Sequence, residues 1–259
     1  MHNKYTGKLK EKATSSKFLD SRLKLNKKLT SFDLHKWQFS KLKFKKNSNI
    51  LDLGCGTGKQ SLEISNKILP NGKIVAIDLS RESILKLKKS SKNGNIICLT
   101  DSIDNVEKIL QKQKLYFQTV LSTYAIYYAN KPLKVILDSS KYLLPKGKIY
   151  ITVPNSPHGM VEYISKFTKI PKNVLESLKM GNDKILPFIK KKFKNVKTYK
   201  LNNSIKFSNF NDFYNLYKST TYFDNKIKEE LKKDFEKKLK NKKSIQFIKK
   251  TLMIEAVKK

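Results

Sequence analysis

The feature that most constrains this chain is Ile50-Leu51-Asp52-Leu53-Gly54-Cys55-Gly56-Thr57-Gly58, where an apolar run enters three glycines at alternate positions. Residues able to form a helix begin at Lys59, so the order predicts strand, tight turn, helix. Glycine suits such a turn because it tolerates positive φ and lets a ligand approach the backbone with no Cβ in the way. A glycine triplet alone is weak, and its meaning depends on the residues at the right distance downstream. The next apolar run, Lys73-Ile74-Val75-Ala76-Ile77-Asp78, ends on a carboxylate.

From Asn49 onward the chain alternates short apolar runs with helical segments. The runs at 49–54, 73–78, 95–100, 117–124 and 148–153 read as strands. Pro70-Asn71-Gly72, Asn93-Gly94 and Pro145-Lys146-Gly147 punctuate the helices between them. Ser80 offers a cap to one helix, another spans about 103–113, and Pro132 opens a further one. Five strands joined by helical crossovers predict an α/β fold with a parallel, doubly wound sheet. After Pro154 the rhythm breaks into interrupted helices, a sixth strand over 196–207 with a turn at Asn202-Asn203, a helix at 224–241 and a closing strand at 244–257. Before Asn49, residues 1–30 predict a weak amphipathic helix after a polar start, and Thr30-Ser31 offers an N-cap to a second helix that leads into the first strand.

In an open parallel sheet the ligand crevice lies beyond the carboxyl ends of the strands. Asp78 closes the second strand, where it can accept hydrogen bonds from ribose hydroxyls. Asp101 comes directly after the third, where it can accept from an adenine amine. Each acid alone is equally well read as a helix cap; two at successive strand ends after a glycine turn favour a nucleoside ligand. A diphosphate fingerprint spaces its glycines G-x-G-x-x-G, whereas this turn is G-x-G-x-G with Asp52 two residues before it. An acid that close suits a cationic or amine-bearing ligand better than a diphosphate.

These residues resemble a known family. Leu51-Asp52-Leu53-Gly54-Cys55-Gly56-Thr57-Gly58 is similar to the first motif of the class I S-adenosylmethionine-dependent methyltransferases, and Asp78 and Asp101 match that family's acids after the second and third strands. Residues 49–154 carry the resemblance, and 244–257 resembles the family's last, antiparallel strand. The resemblance implies a Rossmann-like, mostly parallel seven-stranded sheet with the last strand antiparallel, plus helical lid elaborations. A methyltransferase domain would span 47–259, with an N-terminal extension at 1–46 and a helical insertion at about 155–243. The implied cofactor is S-adenosyl-L-methionine. Gly54, Gly56 and Gly58 would pack against its methionine part, Asp52 would orient the ammonium directly or through water, Asp78 would hold the ribose, and Asp101 with Ser102 would face the adenine. Cys55, Leu79, Ser122 and Tyr124 complete the implied contacts. Phe117-Gln118 departs from the Phe-Asp of many small-molecule members, which implies altered local hydrogen bonding. The segment Leu121 to Tyr128 matches the family's methyl-transfer region and lacks the Asn/Asp-Pro-Pro-aromatic signature of amino-methylating DNA enzymes.

Transfer of an activated methyl depends mainly on proximity and alignment, with a base needed only for a protonated nucleophile. His158, just after the fifth strand, is the best-placed candidate base; Tyr127 and Tyr128, with Tyr124, either shape the pocket and bond substrate or fill space beneath a helical cap. His2 and His35 read as surface residues. The aromatic-rich stretch 207–223 reads equally as a pocket wall or as core.

The formal net charge of +35 points toward polyanions. Yet of 56 basic residues only Arg22 and Arg81 are arginine, a lysine-rich bias that fits compositional drift better than a phosphate-binding surface. The expected acceptor is therefore a small-molecule oxygen or nitrogen, with an RNA methyltransferase and a catalytically silent cofactor-binding subunit as alternatives. Two isolated cysteines, Cys55 and Cys98, form neither a disulfide framework nor a metal site, and with no apolar run of membrane length the chain reads as a cytoplasmic protein.

Overall fold

The computed structural model describes residues 15–30 and 32–259. Seven strands, β1 (Ile50–Leu53), β2 (Ile74–Asp78), β3 (Ile96–Thr100), β4 (Phe117–Thr123), β5 (Leu143–Asn155), β6 (Phe193–Phe207) and β7 (Ile245–Lys258), form one sheet in the order β3-β2-β1-β4-β5-β7-β6. All neighbours pair parallel except β7, which runs antiparallel to both β5 and β6. The sheet is the expected Rossmann-like one, and the order reverses between β1 and β4.

The helices are α1 (Ser16–Leu29), α2 (Leu34–Lys41), α3 (Lys59–Lys67), α4 (Arg81–Ser90), α5 (Val106–Gln113), α6 (Pro132–Lys141), α7 (Gly159–Ile164), α8 (Lys172–Met180), α9 (Leu186–Lys192), α10 (Phe210–Lys218) and α11 (Lys228–Leu239). Strand residues alternate between faces, and in β1 that alternation separates two cores. Leu51 and Leu53 join Val106, Leu110, Ile136 and Ile189 of α5, α6 and α9 on one side. Ile50 joins Ile64 and Leu87 of α3 and α4, with Leu121, Tyr150 and Met253, on the other. A third cluster, including Met160, Tyr163, Phe207, Phe213, Phe235 and Phe247, lies at the far end of the β6–β7 ladder. That ladder outruns the rest of the sheet: β7 meets β5 from Lys250 onward, while Ile245 to Lys249 pair with β6. The extension carries a cap built from α7, α8, α10 and α11.

Several local expectations change. Asn202-Asn203 does not turn; β6 runs straight through it, paired to Lys250 and Lys249, and its irregularity falls earlier, where the register shifts between Lys194 and Lys197. The cap of α2 is Asp33, whose carboxylate accepts from Lys36 N–H at 3.1 Å; Ser31, like His2 and residues 1–14 of the expected extension, lies outside the described residues. Pro145-Lys146-Gly147 falls within the β5 span, which begins at Leu143, with Lys146 at φ 62°. His35 is not a surface residue: it is half-buried, sits against Phe39 and bonds Glu63 at 2.7 Å. Gln118, where the resemblance departs, accepts from Asn49 N–H at 2.6 Å and so ties β4 to the start of β1.

Glu255 holds β7 between its neighbours. Its buried carboxylate accepts from Lys148 Nζ (2.6 Å) and Tyr150 OH (3.3 Å) on β5 and from Tyr199 OH (2.8 Å) on β6. Burial alone would raise its pKa, but Lys148 and the two hydroxyls hold it below the usual value. Glu255→Ala strands all three donors and is expected to cost about 2 kcal/mol, read from the denaturant midpoint.

Candidate active site

The glycine turn joins β1 to α3 at the carboxyl edge of the sheet. Gly54, Gly56 and Gly58 all take positive φ, at 75°, 55° and 82°. The turn is tied down by its neighbours: Gly54 and Cys55 N–H both donate to Ile77 O, at 2.8 and 3.1 Å. A Cβ at Gly54 would stand 2.1 Å from the Cβ of Ala125, and one at Gly58 would stand 2.1 Å from Leu87 Cδ1. These glycines thus allow β1, the β4 end and α4 to converge without a side chain between them.

Asp78 shapes the turn from β2. Its Oδ2 accepts from Gly56 N–H and its Oδ1 from Ser80 N–H, both at 2.8 Å. Burial pushes its pKa up despite those two donors. The next residue, Leu79, is 46% exposed, an uncovered apolar side chain beside the acid. Asp101 N–H donates to Asp78 O at 3.1 Å, so the two strand-end acids are brought together. Asp101 Oδ1 is taken by Ser102 N–H (2.7 Å) and Asn105 Nδ2 (2.8 Å), while Ser102 Oγ caps the next 3-10 turn by accepting from Asp104 N–H. Both acids thus form local turns as well as lining the same edge.

Asp52 lies behind the turn and is 1% exposed. Ser61 Oγ of α3 donates to its Oδ2 at 2.6 Å. Burial, opposed by that bond and reinforced by the charge of Asp78, pushes its pKa up to about 7. Burial likewise raises the Cys55 thiol. Ser122 Oγ donates to Leu53 O at 3.0 Å and so braces β4 against β1.

The segment after β4 is strained and closely held. Tyr124 has φ 53°, its N–H donates to Thr152 O at 2.8 Å, and its hydroxyl bonds Thr251 Oγ1 on β7. Burial pushes its pKa up to about 12 and raises Tyr127 well above the usual value. Tyr127 and Tyr128 lie with ring centroids 4.5 Å apart. His158 precedes α7; burial, with the charge of Lys249, lowers its pKa to about 3, and its Nδ1 is buried without a partner. His158 is therefore a neutral imidazole, and Tyr124 and Tyr127 are neutral phenols.

Helix α1 crosses above these groups. Leu19 lies where a Cβ on Gly56 would meet it at 3.0 Å, and Lys86 of α4 bonds Ser16 (2.8 Å) and Asp20 (2.9 Å). At its other end Leu25 and Leu29 pack on the cap and Lys28 pairs with Asp212 at 3.0 Å. The aromatic stretch 207–223 resolves mainly to core, since Phe207, Phe210, Phe213, Tyr214 and Tyr217 are all buried. Arg22, Asn26 and Lys249 did not emerge from motif reading, although an arginine in a chain that otherwise uses lysine was a visible signal. Among the described residues no group of three or more His, Cys, Asp or Glu is placed to hold a metal, and no helix is long and apolar enough to cross a membrane.

The edge as built fits a nucleoside with a charged amino-acid arm. It offers an acid flanked by backbone donors, a loop whose approach depends on missing Cβ atoms, and a buried carboxylate that pairs with no cation among the described residues. Comparison with known proteins agrees. The pattern of a family described as "Methyltransferase domain" matches residues 44–243. The chain is 26% identical over 130 residues to the demethylmenaquinone methyltransferase of Lactococcus lactis, a match covering 50% of this chain and 51% of that protein. Thus it spans about half the length of that curated relative. Among solved structures, the YcgJ protein of Bacillus subtilis superposes with a TM-score of 0.60 at 12% identity, covering 86% of this chain and 97% of that one. A phosphoethanolamine N-methyltransferase of Haemonchus contortus does so with a TM-score of 0.50 at 17% identity, covering 83% of this chain and 50% of that one. With more than half of its length matched and the glycine turn, acids and strand order all in place, the chain belongs to the class I S-adenosylmethionine-dependent methyltransferase family.

Proposed function

We propose that this protein transfers the methyl group of S-adenosylmethionine to an oxygen or nitrogen of a small molecule. The observation that carries the small-molecule reading is the cover over the carboxyl edge, where α1 reaches from the glycine turn at Leu19 to the cap at Leu25 and Leu29. Helices α1 and α2 and the cap at about 155–243 serve in this reading as a lid. An enclosed acceptor site admits a metabolite more readily than a folded RNA.

When bound, the cofactor supplies a methyl on a cationic sulfur, already activated for in-line attack. The chain's contribution is placement. Asp78 would hold the ribose, and Leu79, Asp101 and Ser102 would border the adenine. Asp52 stabilises the ammonium end from behind the turn. Cys55 forms part of the turn's wall, and Ser122 and Tyr124 act as struts that fix the β4 end. Tyr127 and Tyr128 orient the acceptor through their hydroxyls. His158 can accept a hydrogen bond through Nδ1 but is too weak a base to deprotonate an alcohol, so the acceptor is a neutral amine or an already acidic hydroxyl.

Calorimetry with S-adenosylhomocysteine, then label transfer from the methyl donor into a fractionated extract, tests the reading. Label in the low-mass fraction supports it. Label in RNA, with steeply salt-dependent binding, would favour the RNA reading that the +35 charge suggests. Folded protein that binds neither donor nor product defeats both.

Asp52 makes this binding depend on pH. An ammonium ligand favours the carboxylate, so as pH falls below about 7 the acid of the free protein takes up a proton that binding must expel. Product affinity is expected to weaken by about tenfold per unit between pH 6.5 and 5. For folding the sign is opposite. The folded pKa lies above the unfolded one, so stability declines as pH rises from about 4 to about 7. Asp52→Asn should therefore raise stability at pH 8 by on the order of 1–2 kcal/mol while weakening product binding and flattening its pH profile; thermal melts and calorimetry across that range check both.

A further inference from the structure

Arg22 and Asn26 lie one helical turn apart on α1 and so share a face. Asn26 Oδ1 accepts from Lys249 Nζ at 3.0 Å, which brings the lysine under that face. On β7, Lys249 and Thr251 point to the same side of the sheet, and Thr251 is the residue bonded by Tyr124 at the end of β4. The charge of Arg22 is felt by Lys249, by Tyr127 and by Tyr222 of the cap, and that of Lys249 by His158. These groups come from α1, the segment after β4, the cap and β7 and converge on one place.

Two cations in that place are costly unless an anion joins them. Arg22 and Lys249 are both half-buried, and among the described residues neither forms an ion pair, whereas Lys28, Lys86 and Lys134 each find an acid. Arg22 Nε is buried with no hydrogen-bond partner. Burial, with the charge of Arg22, lowers Lys249 to about 8. Arg22 is also one of only two arginines in the chain, and a guanidinium offers the bidentate fork that an oxyanion fits.

We propose that the space bounded by Arg22, Asn26, Tyr127, Tyr222 and Lys249 binds the methyl acceptor, and that the acceptor carries a carboxylate or phosphate held between the Arg22 guanidinium and the Lys249 ammonium. The inference rests on the methyltransferase reading and names the substrate class of that site. Position argues against the cofactor as the source of the anion. The glycine turn meets α1 at Leu19, a turn before Arg22, whereas Lys249 stands beyond β5 and beside His158.

The full chain, saturated with S-adenosylhomocysteine in an anion-poor buffer, is acetylated at pH 8 and the rate at each lysine is followed by mass spectrometry, with exposed Lys112 as reference. Inorganic phosphate and acetate are added in separate arms. At about ten times its dissociation constant, the anion that fits should slow labelling of Lys249 by roughly tenfold and leave Lys112 unchanged. Arg22→Met should abolish the protection while its product affinity stays within about twofold of wild type. Protection by S-adenosylhomocysteine alone, with no further effect of either anion, would assign the cations to the cofactor's own carboxylate and overturn the proposal. Labelling unaffected by both anions would overturn it too. If calorimetry shows that the wild-type chain does not bind S-adenosylhomocysteine at all, the methyltransferase reading falls first and the proposal with it.

Discussion

Gly54→Ala is expected to abolish measurable binding of S-adenosylhomocysteine and to lower stability by about 3 kcal/mol or more. Two costs combine. The backbone at φ 75° is strained for any L side chain, and the new methyl would stand 2.1 Å from Ala125 Cβ and 3.5 Å from its Cα. Ala125 has little freedom to retreat, because Tyr124 before it is already at φ 53° and Tyr128 N–H after it donates to Ala125 O at 2.9 Å. The ends of β1 and β4 must therefore separate, at the place where the sheet order reverses. Gly94→Ala is the control: φ is 67° but nothing lies within 4 Å of the added Cβ. Its cost should be about 1 kcal/mol from backbone strain alone, with binding intact. Adding Ala125→Gly to Gly54→Ala should recover the contact part of the loss and leave the backbone part. Denaturant midpoints and calorimetry on the three variants separate these terms; equal losses at Gly54 and Gly94 would show that close approach to Ala125 is not what the glycine provides.

Asp78→Ala should weaken product binding by about a hundredfold, and Asp78→Asn by about tenfold. Alanine leaves the N–H groups of Gly56 and Ser80 without the carboxylate that each now meets at 2.8 Å, so the turn loses its anchor as well as its ribose acceptor. Asparagine keeps one acceptor and turns an amide toward the other N–H. Binding unchanged in both variants would remove Asp78 from the cofactor site, whatever its part in the turn.

Much of this was legible in advance because it is local. A β-branched run, a glycine turn and a strand-end acid each announce themselves within a few residues, and helix-length spacers between apolar runs compel parallel crossovers. The same locality explains the errors. Asn202-Asn203 has turn composition, but thirteen residues of β7 pair along β6, including those opposite this dipeptide, and the ladder overrides the local preference. His35 has no polar motif around it, so its contact with Glu63, 28 residues away, left no mark in the sequence. The Ser122 hydroxyl and Asp101 Oδ1 also hold contacts within the protein, which no spacing rule reports.

The sequence by itself determined the fold, the cofactor and the residues of the glycine turn, since each arises from backbone conformation and from chemistry carried by neighbours in the chain. Only the tertiary structure brought Arg22, Asn26 and Lys249 into one neighbourhood. Arg22 and Lys249 lie far apart along the chain and belong to no shared motif. The β6–β7 ladder outruns the sheet and carries Lys249 up to Asn26 on α1, one turn from Arg22, and among the described residues neither cation finds a counter-charge there.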